Sequence, residues 1–406
     1  MEKNKIFNLT VLVVTLGYFV DIFDLTLFNM LRIPSLKALQ VPEDQLVEVG
    51  IFLLNWQMAG MLLGGLFWGI LGDKKGRTTV LFGSIVLYSV ANILNGFVTT
   101  IPQYAVLRFL SGIGLAGELG AGITLISEIL PANKRGLGTT IVATIGVLGA
   151  SCGGLMVEHF DWRTCYFVGG VLGLALLFLR VQISDSSFFS EHRKNSGAQW
   201  GNISTLFKSK NNFLKFILCI GVGVPIWYVA GLLMNFSPEI AQEIGVTDSI
   251  TAARSIGISY LGLAVGDLLS GLLSQKLESR IQTMKIFMLS SFLFIGIILF
   301  TSGNQSASYF YFWCFMIGVS AGYWAMFITI AAEQFGTNIR ATVATSVPNF
   351  VRGSVIPMTL LFKNLKDQYT ILNSVVIVGV IVFTIALISV FYLPETFHKD
   401  LNYLEE

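Results

Sequence analysis

The sequence predicts an all-α polytopic membrane protein with twelve transmembrane helices in two pseudo-symmetric six-helix bundles. Three observations carry that prediction. Apolar runs long enough to cross a bilayer recur along the whole chain, basic residues crowd alternate loops, and landmarks of one half return in the other. The chain has 406 residues, of which 54% are hydrophobic and 12% charged, and its mean hydropathy is +0.71. Soluble domains carry roughly 25% charged residues, so a water-soluble fold of this length would leave too much apolar surface uncovered.

A helix needs about 20 apolar residues to cross the hydrocarbon core. Runs of that kind lie at 7–31, 49–72, 78–98, 103–130, 136–159 and 164–183, and again at 213–236, 250–275, 283–302, 307–332, 341–362 and 370–393. The first follows Met1–Lys5 with no small-residue cleavage site, so it is expected to be retained as a span rather than removed. Residues 184–212 are polar and basic and read as a linker between an N-terminal bundle (1–183) and a C-terminal bundle (213–394), with a tail at 395–406.

With the N-terminus inside, the inner loops hold Lys74, Lys75, Arg77, Lys134, Arg135, Lys208, Lys210, Lys276, Arg280 and Arg340, among others. The outer loops hold only Arg32, Lys37, Arg163, Arg254, Lys363 and Lys366. Basic loops stay cytoplasmic, so both termini are expected on that side, which requires an even number of spans. The turn GILGDKKGR (69–77) has a weaker counterpart in GLLSQKLESR (271–280), and SEILPANKRG (127–136) has one in AEQFGTNIRA (332–341). The offsets from Gly69 to Gly271 and from Glu128 to Glu333 differ by three residues, as expected of duplicated halves.

Other chemistries find no support. The four cysteines fall in or beside apolar runs without a CxxC or Cys/His cluster, so neither a disulfide framework nor a metal site is expected. The GELG glycines follow no strand and precede no GK[ST], which argues against a nucleotide loop. No cofactor, no nucleic-acid partner and no enzymatic constellation is expected, and the histidines lie at span ends or in tails.

These landmarks resemble the major facilitator superfamily. Its pattern after the second span, G-x-x-x-D-x-x-G-R, is met by Gly69, Asp73, Gly76 and Arg77, while the later copy has Gln275 in place of the aspartate. RFLSGIG (108–114) is similar to the family's arginine-glycine element in the fourth span. GELGAGITLISEILPANKRG (117–136) and PETFHKDL (394–401) look like the branch of sugar porters and organic-acid:proton symporters. DIFDLTLF (21–28) resembles the paired-aspartate signature of aromatic-acid and phosphate symporters, and DWRTCYF (161–167) fits the turn into the sixth span. The fifth span departs from the drug:proton antiporter element, with Ala150 where that element has proline. The resemblance implies a multi-pass protein of the cell (inner) membrane, a monomer, working as a secondary transporter of a small molecule. It also implies that Asp73, Arg77, Glu128, Arg135, Glu333 and Arg340 form cytoplasmic latches, with Gly69 and Gly76 in the turn.

Ionisable groups inside a bilayer are costly, so each is a functional candidate. They are Asp21 and Asp24 in span 1, Arg108 and Glu118 in span 4, Asp267 in span 8 and Arg352 in span 11. At ~1.5 Å per residue, Asp21, Glu118 and Arg352 each lie ~18–21 Å from the inner ends of their spans, near the midplane. Asp21 and Asp24 stand three apart on one helix face with Tyr18. Two close carboxylates in low dielectric do not both ionise readily, which suits proton uptake; the alternative is that Asp24 pairs with Arg108. Glu118 is either a further proton carrier or a permanently protonated acid. Arg352 offers a guanidinium fork to an anion, or else neutralises Asp267. Trp227, Tyr228, Asn235, Trp324 and Asn349 are the candidates to line the C-half of the site, as is Tyr323. Glycines at 60, 64, 65 and 69 and at 146, 149 and 153 allow close helix approach. The expected activity is proton-coupled uptake of a small organic anion. A carrier of organic cations or zwitterions, or a proton-driven exporter, stays open, and a transporter-like sensor finds less support.

Overall fold

The structure is a computed structural model that describes residues 9–399 apart from 119, 121, 123, 124, 127–129, 131, 181–208, 302, 304 and 398. The side chains of Leu9, Asp73, Arg77, Arg180, Arg340 and residues 132–137, 139, 140, 337, 338 and 341 also lie outside the description. The helices of the described residues fall into twelve successive segments. They are α1 (Leu9–Ala38), α2 (Leu46–Lys75), α3 (Arg77–Asn95), α4 (Ile101–Leu115), α5 (Ala132–Val157), α6 (Trp162–Arg180), α7 (Lys210–Trp227), α8 (Ala252–Leu277) and α9 (Arg280–Phe300). The last three are α10, split into α10a (Ala307–Ala321) and α10b (Trp324–Glu333), α11, split into α11a (Thr337–Gly353) and α11b (Val355–Lys366), and α12 (Ile371–Tyr392). In hydrocarbon every backbone donor and acceptor must be satisfied within its own segment, and helices do that.

Where the chain leaves the membrane, short hydroxyl side chains cap the helices. Thr100, Ser209, Thr251, Ser279, Ser306 and Thr370 each accept a hydrogen bond from the backbone N–H three residues on. Gly76 joins α2 to α3 at φ +100°, a conformation that L side chains rarely adopt, which explains its place in the turn motif. Among the described residues, nine helices are long and apolar enough to cross a membrane. α11 is not one of them, because Thr342, Thr345, Ser346, Asn349 and Arg352 make it a polar helix buried between the halves.

The halves meet along two seams, α2 against α11 and α5 against α8. In the second, the Ser151 hydroxyl donates to the Gly257 carbonyl at 2.8 Å, and Gly154 sits against the backbone of Ala253 and Gly257. Within the N-terminal half, a Cβ on Gly112 would lie 2.1 Å from the Gln57 carbonyl oxygen, and one on Gly60 2.1 Å from that of Phe109. The close approach of α2 and α4 therefore depends on glycine at both positions. The expected glycine stripe of α2 divides its work. Gly60 and Gly64 admit α4, Gly65 admits Asn349 of α11, and Gly69 has only a Thr345 methyl, 3.9 Å from its added Cβ.

Three C-terminal helices are interrupted. Pro225 lies near the end of α7, which continues as a π-helical stretch, Tyr228–Leu233. α10 breaks at Gly322 and Tyr323, and α11 at Ser354. Breaks of this kind survive in a membrane where surrounding protein satisfies the freed groups. One expectation needs correcting. The first span runs to Ala38 rather than to residue 31, so Arg32 is inside a helix and fully buried, not in an outer loop. The expected linker overlaps residues outside the description up to 208, and α7 begins at Lys210.

Gly112→Val should destabilise the fold by about 1–3 kcal/mol, the usual penalty of overpacking a close contact. Gly271→Ala, where an added Cβ meets nothing within 4 Å, should be nearly neutral. Thermal unfolding of the two variants in detergent measures the difference, and equal midpoints would refute the crossing argument.

Candidate transport site

Arg352 lies on α11a at the centre of the molecule, fully buried. Its guanidinium carbon is 5.7 Å from the Trp227 ring centre and 5.6 Å from that of Trp324. Nη1 donates to Asn349 Oδ1 at 3.3 Å, and Asn349 is held by its own donations to the Ala116 and Thr345 carbonyls, both at 2.9 Å. Nε and Nη2 have no hydrogen-bond partner among the described residues. Arg352 makes no ion pair with Asp267. Asp267 Oδ1 instead accepts the Ala325 N–H at 3.1 Å, so the carboxylate caps the first turn of α10b.

Around Arg352 the side chains of Tyr18, Ile22, Ile226, Trp227, Tyr260 and Trp324 enclose a cavity of about 20 Å³ between the halves. That is room for about one water, so the centre is collapsed around an unsatisfied cation. The Trp324 indole N–H donates to the Tyr18 hydroxyl at 2.9 Å, which closes the cavity across the two halves. Tyr323, just before it, donates to the Val222 carbonyl at 3.2 Å and braces the break in α10 against α7.

The acidic groups sit in different surroundings. Asp21 and Asp24 are fully buried on α1, and Glu118 is nearly so just beyond α4. Asp21 acts electrostatically on Tyr18, at the rim of the cavity. Asp24 points the other way: a Cβ on Gly169 of α6 would lie 2.3 Å from its Oδ1. The groups that act on Asp24 are Arg108 and Asn92, and Arg108 donates to Asn92 Oδ1 at 2.7 Å rather than forming an ion pair with the aspartate. The Arg108 guanidinium lies 4.8 Å from the Tyr166 ring centre, and Tyr166 and Tyr104 share a hydrogen bond of 2.6 Å. This polar cluster is internal to the N-terminal half.

Two candidate lining residues face elsewhere. Tyr228 donates its hydroxyl to the Val375 carbonyl of α12 at 2.8 Å, and Asn235 lies beyond the π-helical stretch, where its carbonyl accepts from Arg32. Arg32 is part of a lock at the end of the bundle remote from the termini. Its Nη2 donates to Asn235 O at 3.1 Å and to Glu239 Oε1 at 2.6 Å, and its carbon lies 4.6 Å from the Phe236 ring centre. Glu48 of α2 pairs with Lys363 of α11b, and the Thr359 hydroxyl donates to Asn55 at 2.7 Å. All three contacts tie the N-terminal half to the C-terminal half at the same end. None of these roles stands out in the sequence, where Arg32, Glu48 and Lys363 look like loop charges.

At the opposite end Glu333 receives the Arg280 guanidinium in a fork of 2.7 and 2.8 Å and a Thr396 hydroxyl at 2.7 Å, all within the C-terminal half. Glu395 caps α9, accepting from the Ser279 hydroxyl at 2.5 Å and from the backbone of Arg280 and Ile281. Glu128 lies outside the described residues, as do the side chains of Asp73, Arg77, Arg135 and Arg340.

A twelve-span helical bundle in two halves, with a buried arginine at their shared centre and a lock between them at one end, is the architecture of an alternating-access carrier. The sequence profile of the Major Facilitator Superfamily matches residues 14–358. The chain belongs to that family of secondary transporters and is not an enzyme. It is 24% identical over 403 residues to a putative metabolite transport protein of Haemophilus influenzae, covering 95% of this chain and 96% of that one. It is 25% identical over 365 residues to a cis,cis-muconate transport protein of Acinetobacter baylyi, covering 86% of each. A 3-(3-hydroxy-phenyl)propionate transporter of Escherichia coli is 27% identical over 306 residues, or 71% of this chain and 70% of that one. The fold matches the inward-open xylose transporter XylE of E. coli with a TM-score of 0.72 at 16% identity, over 96% of this chain and 97% of that one.

Glu239→Gln should release Arg32 and favour separation of the halves at this end, since a buried cation left without its partner is strongly destabilised. Spin labels on the last turns of α1 and on the short helix Ser237–Glu243 should report longer distances in the variant. An unchanged distance distribution would show that the pair is no lock.

Burial works against ionisation of Glu395, yet hydrogen bonds from Ser279 and from the backbone N–H groups of Thr396, Ile281 and Arg280 outweigh it and hold its carboxyl below the usual carboxylate range. A group whose folded pKa is depressed stabilises the fold above its unfolded value, here 4.5, and loses that contribution as pH falls through the folded pKa. The melting difference between wild type and Glu395→Gln should therefore be constant near neutrality and shrink below about pH 4.5. A difference that stays constant at acid pH would exclude the cap.

Proposed function

We infer that the chain carries a small organic anion into the cell together with protons, by alternating access across the cell membrane with both termini cytoplasmic. The observation that carries this reading is Arg352. It is fully buried between two indole rings, free of any ion pair with Asp267, and has two guanidinium nitrogens without hydrogen-bond partners beside the central cavity. A permanently charged fork in that position favours a carboxylate, and flanking aromatic rings favour a planar or unsaturated carbon frame. The relatives named for cis,cis-muconate and for a hydroxyphenylpropionate transport acids of that description, which supports the same class here.

In this reading Asp21, buried on α1 and acting electrostatically on the cavity residue Tyr18, takes the proton that accompanies the anion. Glu118 serves as a further acid. Asp24 with Arg108 stores charge within the N-terminal half and sets the electrostatic background. Asn349 positions Arg352, while Trp227, Trp324 and Tyr18 form the walls. Binding of the anion replaces the Trp324–Tyr18 bond across the halves and lets them separate at one end while the Arg32–Glu239 lock controls the other. The latches at the cytoplasmic end, drawn from Asp73, Arg77, Glu128, Arg135, Glu333 and Arg340, alternate with that lock.

The test is binding and uptake of unsaturated and aromatic carboxylates by purified protein in proteoliposomes. A charge-assisted fork is worth about 1.5–3 kcal/mol, so Arg352→Lys should weaken binding roughly ten- to a hundredfold, and Arg352→Gln should abolish it. Asp21→Asn should lose pH-driven accumulation and keep substrate exchange. Restored transport in Arg352→Gln with Asp267→Asn would move Arg352 from the site to the scaffold, and full accumulation by Asp21→Asn would remove that residue from coupling.

A further inference from the structure

A cavity much larger than the central one lies away from the centre. It is a groove of about 610 Å³ on the outside of the bundle, lined by Phe52, Asn55, Trp56 and Ala59 of α2, Ile101 of α4, and Ile356 and Leu360 of α11b, with Glu48 and Lys363 at its mouth. We propose that this groove is a phospholipid site, in which one acyl chain lies between α2 and α11b and the phosphate sits on Lys363 and Lys366.

Length, lining and charge support one another. From Glu48 to Ala59 the groove follows eleven residues of α2, which at 1.5 Å per residue is about 16 Å. The hydrocarbon core is about 30 Å thick, so the groove runs from the headgroup level to the bilayer centre, the depth that one leaflet's acyl chain occupies. Its walls are almost wholly apolar, and the rings of Phe52 and Trp56 remain 46% and 40% exposed. At the mouth Lys363 pairs with Glu48, and Lys366, one turn further along α11b, acts on Glu48 electrostatically. These two ammonium groups stand at the level where a lipid phosphate lies, and a phosphodiester complements them.

The groove also belongs to both halves. α2 and α4 form one wall, α11b forms the other, and the Asn55–Thr359 hydrogen bond joins the two walls. A chain held across that seam binds the arrangement in which the remote end is closed, and any movement of the halves there changes the width of its seat. The lipid thus shifts the conformational equilibrium by its difference in affinity for the two arrangements.

The experiment reconstitutes the full chain in liposomes that contain a phosphatidylglycerol with a photoreactive acyl chain, and maps the adducts by mass spectrometry. Adducts should concentrate on the Phe52–Ala59 and Ile356–Leu360 segments rather than on other lipid-facing positions such as Phe178, Phe300 and Phe391, which are 79%, 74% and 68% exposed. Filling the groove by Ala59→Trp, or independently by Leu360→Trp, should remove the excess labelling. Replacing both lysines by glutamine should cut labelling by the phospholipid roughly tenfold while leaving a photoreactive diacylglycerol unaffected. Uniform labelling of all lipid-facing helices, or labelling insensitive to both tryptophan variants, would mean ordinary boundary lipid and overturn the proposal. Labelling requires no substrate and no proton gradient, so the result stands apart from the transport reading.

Discussion

Hydrocarbon gives a polar group nothing to bond to, and most of this molecule follows from that constraint. The backbone must close its own hydrogen bonds, so every crossing is helical. Side chains that ionise must find partners inside the bundle or remain in reserve for a ligand. Arg32, Arg108 and Arg352 are all fully buried, yet they meet the constraint differently. Arg32 takes a carboxylate and a carbonyl from the other half, and Arg108 takes an asparagine and two tyrosine faces in its own half. Arg352 takes one amide and two indoles and keeps donors in hand. The same chemistry ties the halves together, braces one half from within, or leaves donors beside a cavity, according to what surrounds it.

The halves share an architecture and divide the labour. The N-terminal half holds most of the buried acids and keeps Asp24 within a network of α1, α3, α4 and α6. The C-terminal half contributes Arg352 and the interrupted helices. Two of its three breaks are tied to a neighbour: Asp267 of α8 caps α10b and Tyr323 reaches α7, while Tyr228, in the stretch after α7, reaches α12. An interrupted helix braced at its break can pivot without exposing backbone to lipid, whereas a straight helix would have to move as a rod.

Much of this was legible in the residues alone. Twelve apolar runs, a repeated turn motif and six interior charges led to the fold, to the two halves and to the residues that now stand nearest the centre. These signals are strong because a bilayer penalises any deviation from them. What escaped was everything set by register between helices. Arg32 sits nearly two turns inside a helix longer than hydropathy suggests, and Glu239, in the short helix Ser237–Glu243, gives no sign of its partner some two hundred positions away. The face that Tyr228 presents depends on a π-helical stretch that no spacing rule reveals, and the capping role of Asp267 depends on where α10 breaks. Sequence spacing puts the paired aspartates on one helix face, and only the structure brings Asp24 against Gly169 of α6.

The collapsed centre has an electrical consequence. A membrane that stores energy as a proton gradient is discharged by any continuous file of water through a protein. Room for one water beside Arg352, with an indole-to-phenol bond drawn across the gap, breaks such a file at its middle. The standing positive charge of the arginine adds a barrier to a hydronium ion. The closed centre is in this respect an insulator: nothing crosses it until the two rings part.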